Sequence, residues 1–451
     1  MSIYKDCDIR GIYGRDFDEK DAYLIGRAVG TILTGKSVLV CGDVRVSTDL
    51  LKENLIKGLL NSGADVTDIG VEPTPVFYYS IRTLKTEGGI MVTASHNPPE
   101  YNGFKVVLGK MPITVDDIRR IEQLVVNEEF IEGKGSIEHR NMEENYIDDV
   151  KSLVKRGNNK VVIDAGNGCT SKIGPRIFTE LGYDVERLFC EFDGSFPNRN
   201  PNPAVYENLK KLQYKVVEVN ADIGVAFDGD GDRVVFVDET GKIVTSEQSL
   251  CIMIKHIVKE KEASIVYDHK ASAIIKKVAE AQGIHAFMEK SGHAFIKATF
   301  LKNKSALAGE ISGHYFFKEL GYDDGIYAAL KMLELLNNAD IGLSKIVKQI
   351  PTTIITPDIR VFWRYEEQDA LLKKVESIKK QNWNQDQNQI NISYLDGVRV
   401  EFSYGWLLVR KSVTEEGITI RIEADDEQHM QKIIQLLIET APELKNRHVF
   451  K

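Results

Sequence analysis

Short β-branched runs alternate with helical stretches along the first three quarters of the chain. The runs Val38–Val40, Val161–Ile163 and Ile265–Tyr267 each enter a polar turn holding a Ser or Thr suited to cap a helix. A helical stretch of about 10–15 residues, a glycine and a second strand follow each turn. These glycines are Gly63, Gly182 and Gly283. Strand, helix and strand form the unit of a parallel sheet, so the pattern predicts three related α/β domains. The alternative is that the three segments share only the general α/β pattern.

The last quarter of the chain follows a different pattern. The segments Asp396–Phe402 and Ile418–Glu423 alternate apolar and polar residues. The apolar segment Trp406–Arg410 lies between them, and short turns separate the three. An amphipathic stretch from Met430 to Thr440 follows them. Strands joined by short turns and backed by a helix are typical of an antiparallel α+β domain.

The predicted fold is therefore α/β, with three related mixed α/β sheet domains plus a C-terminal antiparallel α+β domain, around a central cleft. A chain of 451 residues has room for several domains. We expect their boundaries at residues 1–140, 141–240, 241–355 and 356–451. The polar segment Gln381–Gln389 is expected to be a solvated loop of the fourth domain.

Composition and charge exclude several functional classes. The chain has 58 Lys and Arg against 67 Asp and Glu, a net charge of −9, which disfavours nucleic acid as a partner. No apolar run approaches the roughly 18–20 residues needed to span a bilayer, so no membrane association is expected. The five scattered cysteines argue against a disulfide scaffold or structural zinc site and favour a cytoplasmic protein.

The first loop with candidate chemistry follows the apolar run Gly89–Val92 and is closed by two prolines. Its serine, Ser95, is a candidate nucleophile at a strand terminus, with His96 and Lys105 nearby in sequence as proton carriers. The alternative is a turn serine bonded to its own backbone. A G-x-S-x-G elbow is missing from the sequence, so a hydrolase triad is not supported.

The second loop alternates three carboxylates, Asp228, Asp230 and Asp232, with glycines after an apolar strand. Their mutual repulsion would be severe without a cation, and Mg²⁺ prefers carboxylate oxygens. An EF-hand is rejected because Arg233 stands where that loop requires glycine. The remaining alternative is a solvated acidic turn.

Two further loops carry weaker signals. The segment Ala308–His314 presents a carboxylate, a hydroxyl and an imidazole, groups that suit the hydroxyls of a polyol. Its candidate residues are Glu310, Ser312 and His314. The segment Arg410–Thr414 presents basic and hydroxyl groups that suit a phosphate, although an ordinary basic turn is an equal alternative.

Taken in order, the four loops resemble the α-D-phosphohexomutase family over the whole chain. The blocks are T-A-S-H-N-P at 93–98, D-G-D-G-D-R at 228–233 and G-E-I-S-G-H at 309–314, preceded by Tyr4–Gly11. Ile311 and the following Tyr315–Phe317 are most similar to the phosphomannomutase/phosphoglucomutase group. Phosphoglucosamine mutases, which usually carry Gln at the position of Ile311, are the alternative group.

The resemblance implies a role for each matching residue. Ser95 would be a phosphoserine and a further ligand of Mg²⁺ beside Asp228, Asp230 and Asp232. The groups around the transferring phosphoryl would be Arg10, Lys105, Arg233 and His96. The substrate contacts would be Lys270, His293, Glu310, Ser312, His314, Arg410, Ser412 and Thr414. Within the last set, Glu310 and Ser312 would bind ring hydroxyls, and Arg410, Ser412 and Thr414 would bind the phosphate that is not reacting.

The implied activity is the interconversion of hexose 1-phosphate and hexose 6-phosphate, of mannose and/or glucose. The implied cofactors are Mg²⁺ and a hexose 1,6-bisphosphate as activator and intermediate, whose reorientation calls for a hinged fourth domain. The enzyme is expected to act as a monomer or dimer. Val413 and Glu416 depart from the family's phosphate loop, where Asn and Pro are common.

Two other functional classes remain as alternatives. One is a Mg²⁺-dependent phosphatase with an Asp nucleophile and an idle Ser95; a kinase is weakened because the sequence contains no Walker loop. The other is a binding protein of the same fold without catalytic activity.

Overall fold

The computed structural model describes residues 2–260, 262–380, 390–412 and 416–447. The predicted loop Gln381–Gln389 lies outside the described residues, as do Val413 and Thr414. The described residues form four β-sheets in succession along the chain, with helices packed against them. In this part of the chain, no helix is both long and apolar enough to cross a membrane.

The first domain contains a mixed sheet. Its strands are β1 (Ile9–Ile12), β2 (Ser37–Gly42), β3 (Asp65–Val71), β4 (Gly88–Val92), β5 (Tyr101–Leu108) and β6 (Ile137–His139). Its helices are α1 (Glu19–Ile32), α2 (Thr48–Asn61), α3 (Thr74–Leu84) and α4 (Val115–Asn127). The strand order is β1-β5-β4-β2-β3-β6, with β2 parallel to β3 and β4, and β5 antiparallel to β1 and β4. The turn between β4 and β5 carries Ser95.

The second domain repeats a shorter version of this arrangement. Its strands are β7 (Lys160–Asp164), β8 (Asp184–Leu188), β9 (Ile223–Phe227), β10 (Val234–Asp238) and β11 (Ile243–Val244). Its helices are α5 (Glu143–Leu153), α6 (Thr170–Glu180) and α7 (Lys210–Glu218). The order is β11-β10-β9-β7-β8, with β7 parallel to β8 and β9. The carboxylates of 228–232 occupy the turn from β9 to the antiparallel β10.

The third domain follows the same plan. Its strands are β12 (Ser264–Asp268), β13 (His285–Glu289), β14 (Leu307–Gly309), β15 (Tyr315–Phe317) and β16 (Tyr322–Asp323). Its helices are α8 (Ser246–His256), α9 (Ile274–Glu280), α10 (His293–Asn303), α11 (Gly325–Asn337) and α12 (Leu343–Val347). The order is β13-β12-β14-β15-β16, and the turn from β14 to β15 carries residues 310–314.

The fourth domain is antiparallel throughout its described strands. These are β17 (Ile354–Ile355), β18 (Ile359–Val361), β19 (Asn391–Ser393), β20 (Val398–Phe402), β21 (Gly405–Lys411) and β22 (Ile418–Ala424). Its helices are α13 (Tyr365–Glu376) and α14 (Glu427–Thr440). The order is β17-β22-β21-β20-β19, with β18 also pairing with β22. The predicted fold class is therefore confirmed.

The three predicted strand–helix–strand units are also observed. The pairs β2/β3, β7/β8 and β12/β13 are parallel. The glycines after the helices, Gly63, Gly182 and Gly283, all have positive φ angles of 71–95°, a conformation that side chains with a Cβ disfavour.

The predicted Ser or Thr caps of these helices are observed only in part. Ser47 precedes α2 but makes no side-chain capping bond, and Cys169 and Ala273 occupy the cap positions of α6 and α9. The Ser272 hydroxyl accepts from the Ile274 N–H at the start of α9 (3.2 Å), and both nearby hydroxyls donate to acidic side chains. The Thr48 hydroxyl donates to Asp43 (2.6 Å), and the Ser272 hydroxyl donates to Glu423 in the fourth domain (2.5 Å).

Candidate active site

Ser95 is held in a strained and buried conformation at the end of β4. Its φ of +49° is unusual for a residue with a Cβ, and only 3% of the residue is exposed. Its backbone N–H donates to the Thr93 hydroxyl (2.9 Å), and its own hydroxyl donates to Asp228 Oδ2 in the second domain (2.7 Å). The His96 Nδ1 lies 3.3 Å from the same hydroxyl oxygen. The serine is therefore fixed against the acidic loop of another domain.

The buried Arg45 guanidinium binds the backbone of the loop that carries Ser95. Its terminal nitrogens donate to the carbonyl oxygens of Ser95 (2.9 Å), Asn97 (2.6 Å), Pro98 (2.6 Å) and Tyr101 (2.9 Å). Its Nε donates to Asp43 (3.0 Å). Because one planar group satisfies four carbonyls, it fixes the loop more firmly than its two prolines alone would.

The three aspartates converge as predicted. Asp228, Asp230 and Asp232 are fully buried, and each offers an oxygen within 4.8 Å of those of the other two. Asp228 Oδ1 accepts from the backbone N–H groups of Gly231 (2.9 Å) and Arg233 (3.2 Å). An added Cβ at Gly229 would lie 2.5 Å from the Ser95 carbonyl oxygen. Glycine at that position therefore allows the two loops to touch.

Lys105 extends from β5 into the aspartate cluster. Its Nζ lies 2.5 Å from Asp232 Oδ2 and 3.1 Å from Asp230 Oδ2. Burial lowers the pKa of Lys105, but the two carboxylates outweigh burial and hold that pKa well above its usual range. An ammonium ion thus offsets part of the negative charge of the cluster.

The carboxylates are not equivalent. Burial, followed by the charges of Asp230 and Asp232, raises the pKa of Asp228. Burial also acts to raise the pKa of Asp232, but Lys105 and then His314 hold it well below its usual range. The cluster thus combines a stabilised carboxylate with one that needs further positive charge.

The cluster has the donor set of a hard divalent cation. Its ligand atoms are carboxylate oxygens, and Asp230 Oδ1 is buried without a hydrogen-bond partner among the described residues. A buried unpaired carboxylate oxygen is costly unless a cation or proton compensates it. The residues present therefore fit a metal ion.

The other predicted catalytic residues surround the Ser95 loop. The Arg10 guanidinium donates to the Asn97 side chain (2.7 Å) and pairs with Asp8 (2.6 Å). Arg233 Nε lies 3.8 Å from Asp228 Oδ2. Burial, then the charges of Arg233 and Arg10, lowers the pKa of His96 well below its usual range, which favours a neutral imidazole.

The third-domain loop joins this group through His314. Its Nε2 lies 3.2 Å from Asp232 Oδ1, and its Nδ1 lies 2.9 Å from the Ser312 hydroxyl, which also donates to Glu310 (3.2 Å). His293 stacks on His314 with ring centroids 5.9 Å apart. Apart from Lys270, the predicted residues of the first three domains thus form one continuous cluster.

The remaining predicted residues lie at the third and fourth domains and have other partners. Lys270 Nζ donates to Asp358 Oδ2 (3.0 Å), and Arg410 pairs with Asp396 (2.9 Å). The Ser412 N–H donates to the Gly417 carbonyl (2.9 Å), whereas Thr414 lies outside the described residues. The carboxylate of Glu416, one of the departures from the family's phosphate loop, accepts from the Tyr365 N–H at the start of α13 (3.0 Å).

Several residues of the site were missed by sequence reasoning. The additions are the buried Arg45, Thr74 and Asp323 and the partly buried Lys297. The Thr74 hydroxyl donates to Asp230 (2.7 Å), Lys297 Nζ lies 3.8 Å from the Tyr78 ring centroid, and Asp323 Oδ2 lies 3.7 Å from His314 Nε2. Burial lowers the pKa of Lys297 to about 8.

Two of these residues carried a usable signal. Arg45 follows the parallel strand β2, and such strand ends are where ligands bind in open α/β sheets. Asp323 and Asp324 are adjacent acids between Gly321 and Gly325 in a mostly apolar segment. Thr74 and Lys297 sit in ordinary helical patterns and gave no signal.

The first three domains match models of known protein domains. Three models, described as phosphoglucomutase/phosphomannomutase alpha/beta/alpha domains I, II and III, match residues 1–132, 144–241 and 245–354. The phosphomannomutase/phosphoglucomutase of Pseudomonas aeruginosa is 37% identical over 439 residues, covering 96% of this chain and 94% of that protein. The phosphoglucomutase of Neisseria gonorrhoeae is 34% identical over 459 residues, 98% of each protein.

A solved structure has the same overall arrangement. The crystal structure of a phosphoglucomutase/phosphomannomutase family protein from Burkholderia thailandensis matches with a TM-score of 0.89. The two chains are 33% identical, and the match covers 98% of each.

Proposed function

The chain belongs to the α-D-phosphohexomutase family, in its phosphomannomutase/phosphoglucomutase group, and on that premise we propose how it moves a phosphoryl group. It is an isomerase-class enzyme that interconverts hexose phosphates. In the proposed route, Ser95 carries the phosphoryl group between O1 and O6 of glucose and/or mannose. A hexose 1,6-bisphosphate is the intermediate and activator.

One observation carries the proposal: the Ser95 hydroxyl lies 2.7 Å from Asp228, against a buried three-carboxylate cluster. A serine that served only its own turn would bond its local backbone instead. Here the backbone N–H of Ser95 makes the local bond to Thr93, and the side chain is left for the cluster. This arrangement supports a phosphoryl carrier over an idle turn residue.

The cations of the site support the same role. Lys105 reaches the aspartates from β5, Arg233 follows them, and Arg10 reaches the Ser95 loop through Asn97. Phosphoryl transfer needs alignment and neutralised charge on the transferring oxygens more than covalent chemistry from the protein. Positive groups on three sides of the Ser95 loop meet that requirement.

Asp228, Asp230 and Asp232 would hold Mg²⁺, with an oxygen of phosphorylated Ser95 as a further ligand. When bound, Mg²⁺ would polarise the phosphoryl group and neutralise part of its charge. Lys105 would offset part of the negative charge of Asp230 and Asp232, because its ammonium lies within 3.1 Å of an oxygen of each. His96, whose pKa is lowered by burial and then by Arg233 and Arg10, would be available as a neutral imidazole to accept a proton near the Ser95 hydroxyl.

The sugar would lie between the acidic cluster and the fourth domain. Glu310, Ser312 and His314 form a hydrogen-bonded set beside the cluster that suits ring hydroxyls, with His293 stacked behind. Lys270 would contact the substrate, and Arg410 with Ser412 and Thr414 would bind the phosphate that is not reacting. Such a division between reacting and held phosphates is what an end-for-end turn of the bisphosphate requires.

The decisive experiment combines mass spectrometry with substitution. The purified protein should carry one phosphate on the peptide containing Ser95, and Ser95→Ala should abolish mutase turnover while glucose 1-phosphate still binds. Ser312→Ala is the matched control, since it removes a serine hydroxyl without removing the phosphate. A phosphatase with an aspartate nucleophile would instead retain activity in Ser95→Ala and carry its phosphate on an aspartate.

Substrate preference, location and assembly are proposed more coarsely. Assays with glucose 1-phosphate, mannose 1-phosphate and glucosamine 1-phosphate, each with its bisphosphate, test the sugar; a preference for glucosamine would favour the alternative group. All five cysteines are free, which supports a cytoplasmic enzyme. A monomer or dimer is expected by light scattering.

A further inference from the structure

Arg410, proposed to bind the phosphate that is not reacting, is held by a carboxylate on the neighbouring strand connection. Asp396 lies in the turn between β19 and β20, and its Oδ2 is 2.9 Å from an Arg410 terminal nitrogen. The contact is an ion pair rather than a hydrogen bond, because this oxygen has no hydrogen-bond partner among the described residues. The two side chains are 11% and 8% exposed, respectively. The pair is therefore largely shielded from water, where an ion pair fixes geometry more firmly than at the surface.

The backbone is built to bring the turn onto Arg410. The register of β20 and β21 pairs Val398 with Val409, so the turn before β20 lies beside the end of β21. Gly397 has a φ of +85°, and an added Cβ there would lie 2.7 Å from the Arg410 Cα and 2.4 Å from the Val409 carbonyl oxygen. Only glycine allows this approach, which delivers the preceding Asp396 to the guanidinium.

The contact leaves part of the guanidinium without a protein partner. Arg410 Nε is buried and has no hydrogen-bond partner among the described residues. A guanidinium offers Nε and a terminal nitrogen as one edge for bidentate binding of an oxyanion. Tying one terminal nitrogen to Asp396 orients the plane so that this edge is presented in a fixed direction.

We propose that Asp396 is a positioning residue for phosphate binding, which orients the Arg410 guanidinium toward the substrate phosphate that is not reacting. The inference rests on the phosphate-binding role proposed for Arg410. The direction in which phosphate binding changes when Asp396 is removed is informative, because a carboxylate close to a phosphate also repels it. Removing Asp396 would strengthen phosphate binding if repulsion dominated, and would weaken it if orientation dominates, as the proposal requires.

The test is a double-substitution cycle measured with glucose 1-phosphate and its bisphosphate activator. Asp396→Ala is expected to raise KM about tenfold with kcat within about twofold, since it removes binding shared by the ground and transition states. Asp396→Asn keeps an acceptor for Arg410 and is expected to raise KM less, about threefold. In an Arg410→Ala background, Asp396→Ala should change KM by less than about twofold, because its effect passes through the arginine.

Asp369→Asn is the matched control. Asp369 also pairs with a basic residue of β21, Lys411 (2.8 Å), but both side chains are well exposed, so KM should stay unchanged. If Asp396 had only a structural role, Asp396→Ala would lower thermal stability, and its effect on KM would persist in the Arg410→Ala background.

Three outcomes would overturn the inference: an unchanged KM, a lowered KM, or an undiminished effect in the arginine variant. If Asp396→Ala does not fold, Asp396→Asn decides by the same criteria. Loss of mutase activity in the unsubstituted protein would instead refute the proposed function, so the two failures are distinguishable.

Discussion

Two junctions between domains differ in the side chains that form them, since one is apolar and the other is polar. One large apolar cluster draws on α3 of the first domain and on the second and third domains together. The fourth domain has a separate apolar cluster of its own in the described residues, from Val361 to Leu444. It meets the third domain through polar contacts: Lys270 to Asp358 (3.0 Å), Arg421 to Glu247 (3.0 Å), Lys277 to Asp425 (3.1 Å) and Ser272 to Glu423 (2.5 Å).

The difference teaches which part of the site is fixed by the fold. The Ser95 loop and the aspartate loop meet between domains that share a core, so their relative position is set by close packing. The residues proposed to bind the phosphate that is not reacting sit on a domain held by hydrogen bonds and ion pairs, which can exchange partners at little cost in buried apolar area. We therefore expect chemistry to need the first junction intact and substrate turning to use the second.

The largest effect is expected inside the rigid junction, at Asp230. Asp230→Asn preserves shape but removes a charge from the cluster and weakens its hold on a cation, so kcat should fall by about two to three orders of magnitude. Calorimetric titration with Mg²⁺ should show correspondingly weaker binding. Asp222→Asn is the control, because Asp222 precedes the same strand β9 at its opposite end, where its carboxylate accepts from the Lys160 N–H (2.7 Å) and the Asn159 side chain. Equal chelator sensitivity in the Asp230 variant and the unsubstituted protein would contradict the metal assignment.

The next effect tests whether packing alone fixes the Ser95 loop. Arg45→Ala leaves four loop carbonyls without their hydrogen-bond donor and Asp43 as a buried carboxylate without its guanidinium. Such losses lower the free energy of unfolding by about 3 kcal/mol or more, and kcat should fall with it because Ser95 loses its fixed position. Chemical denaturation together with kcat measures both. Arg15→Ala, which breaks an exposed pair with Asp16, should change neither; a stable, fully active Arg45 variant would show that the loop needs no support from beneath.

Arg45 also marks the limit of what the sequence reveals. Strand and helix periodicity predicted the three α/β units and the antiparallel fourth domain, because both patterns follow from burial on one or two faces. The Asp228–Asp232 loop was recognised because three carboxylates so close together repel one another strongly unless a cation joins them. Arg45 was not, since its partners are backbone carbonyls that no sequence motif displays.

The partners of the two cations proposed to bind substrate could not be predicted, for a related reason. Arg410 was predicted from its chemistry and Lys270 from the family resemblance, but Asp358 and Asp396 are isolated acids in ordinary polar turns. Their proximity depends on strand register and domain docking, which local periodicity does not encode. The same holds for Asp323, which reaches His314 only through the sheet of the third domain.

A moderate effect is expected at the polar junction, at Glu423. Its carboxylate accepts from the Ser272 hydroxyl (2.5 Å), the Thr353 hydroxyl (2.5 Å), the Ala273 N–H (2.8 Å) and the Trp406 indole, so it joins the third and fourth domains. Glu423→Gln removes the charge and one acceptor, and should lower the free energy of unfolding of the fourth domain by about 2 kcal/mol.

The three tryptophans provide a selective measurement of that loosening. Trp363, Trp383 and Trp406 all fall within residues 356–451, the range expected for the fourth domain, so indole fluorescence should report on that part of the chain, while far-ultraviolet circular dichroism reports on the whole chain. In urea, Glu423→Gln should lower the fluorescence midpoint more than the dichroism midpoint. Equal shifts in both signals would mean that the fourth domain unfolds together with the other three, and that the two junctions are equally tight.

The smallest effect is expected at an exposed ion pair of the polar junction. It distinguishes contacts that stabilise the junction from contacts that span it without stabilising it. Lys277 and Asp425 also bridge the third and fourth domains, but their side chains are 55% and 45% exposed. An exposed pair contributes at most about 1 kcal/mol and is screened by salt, so Lys277→Ala should shift the fluorescence midpoint slightly and less still at high ionic strength. KM and kcat should remain within about twofold of the unsubstituted enzyme. A shift as large as that of Glu423→Gln would mean that the junction depends on surface charge rather than on its buried carboxylate, and mutase activity would then fall steeply with salt.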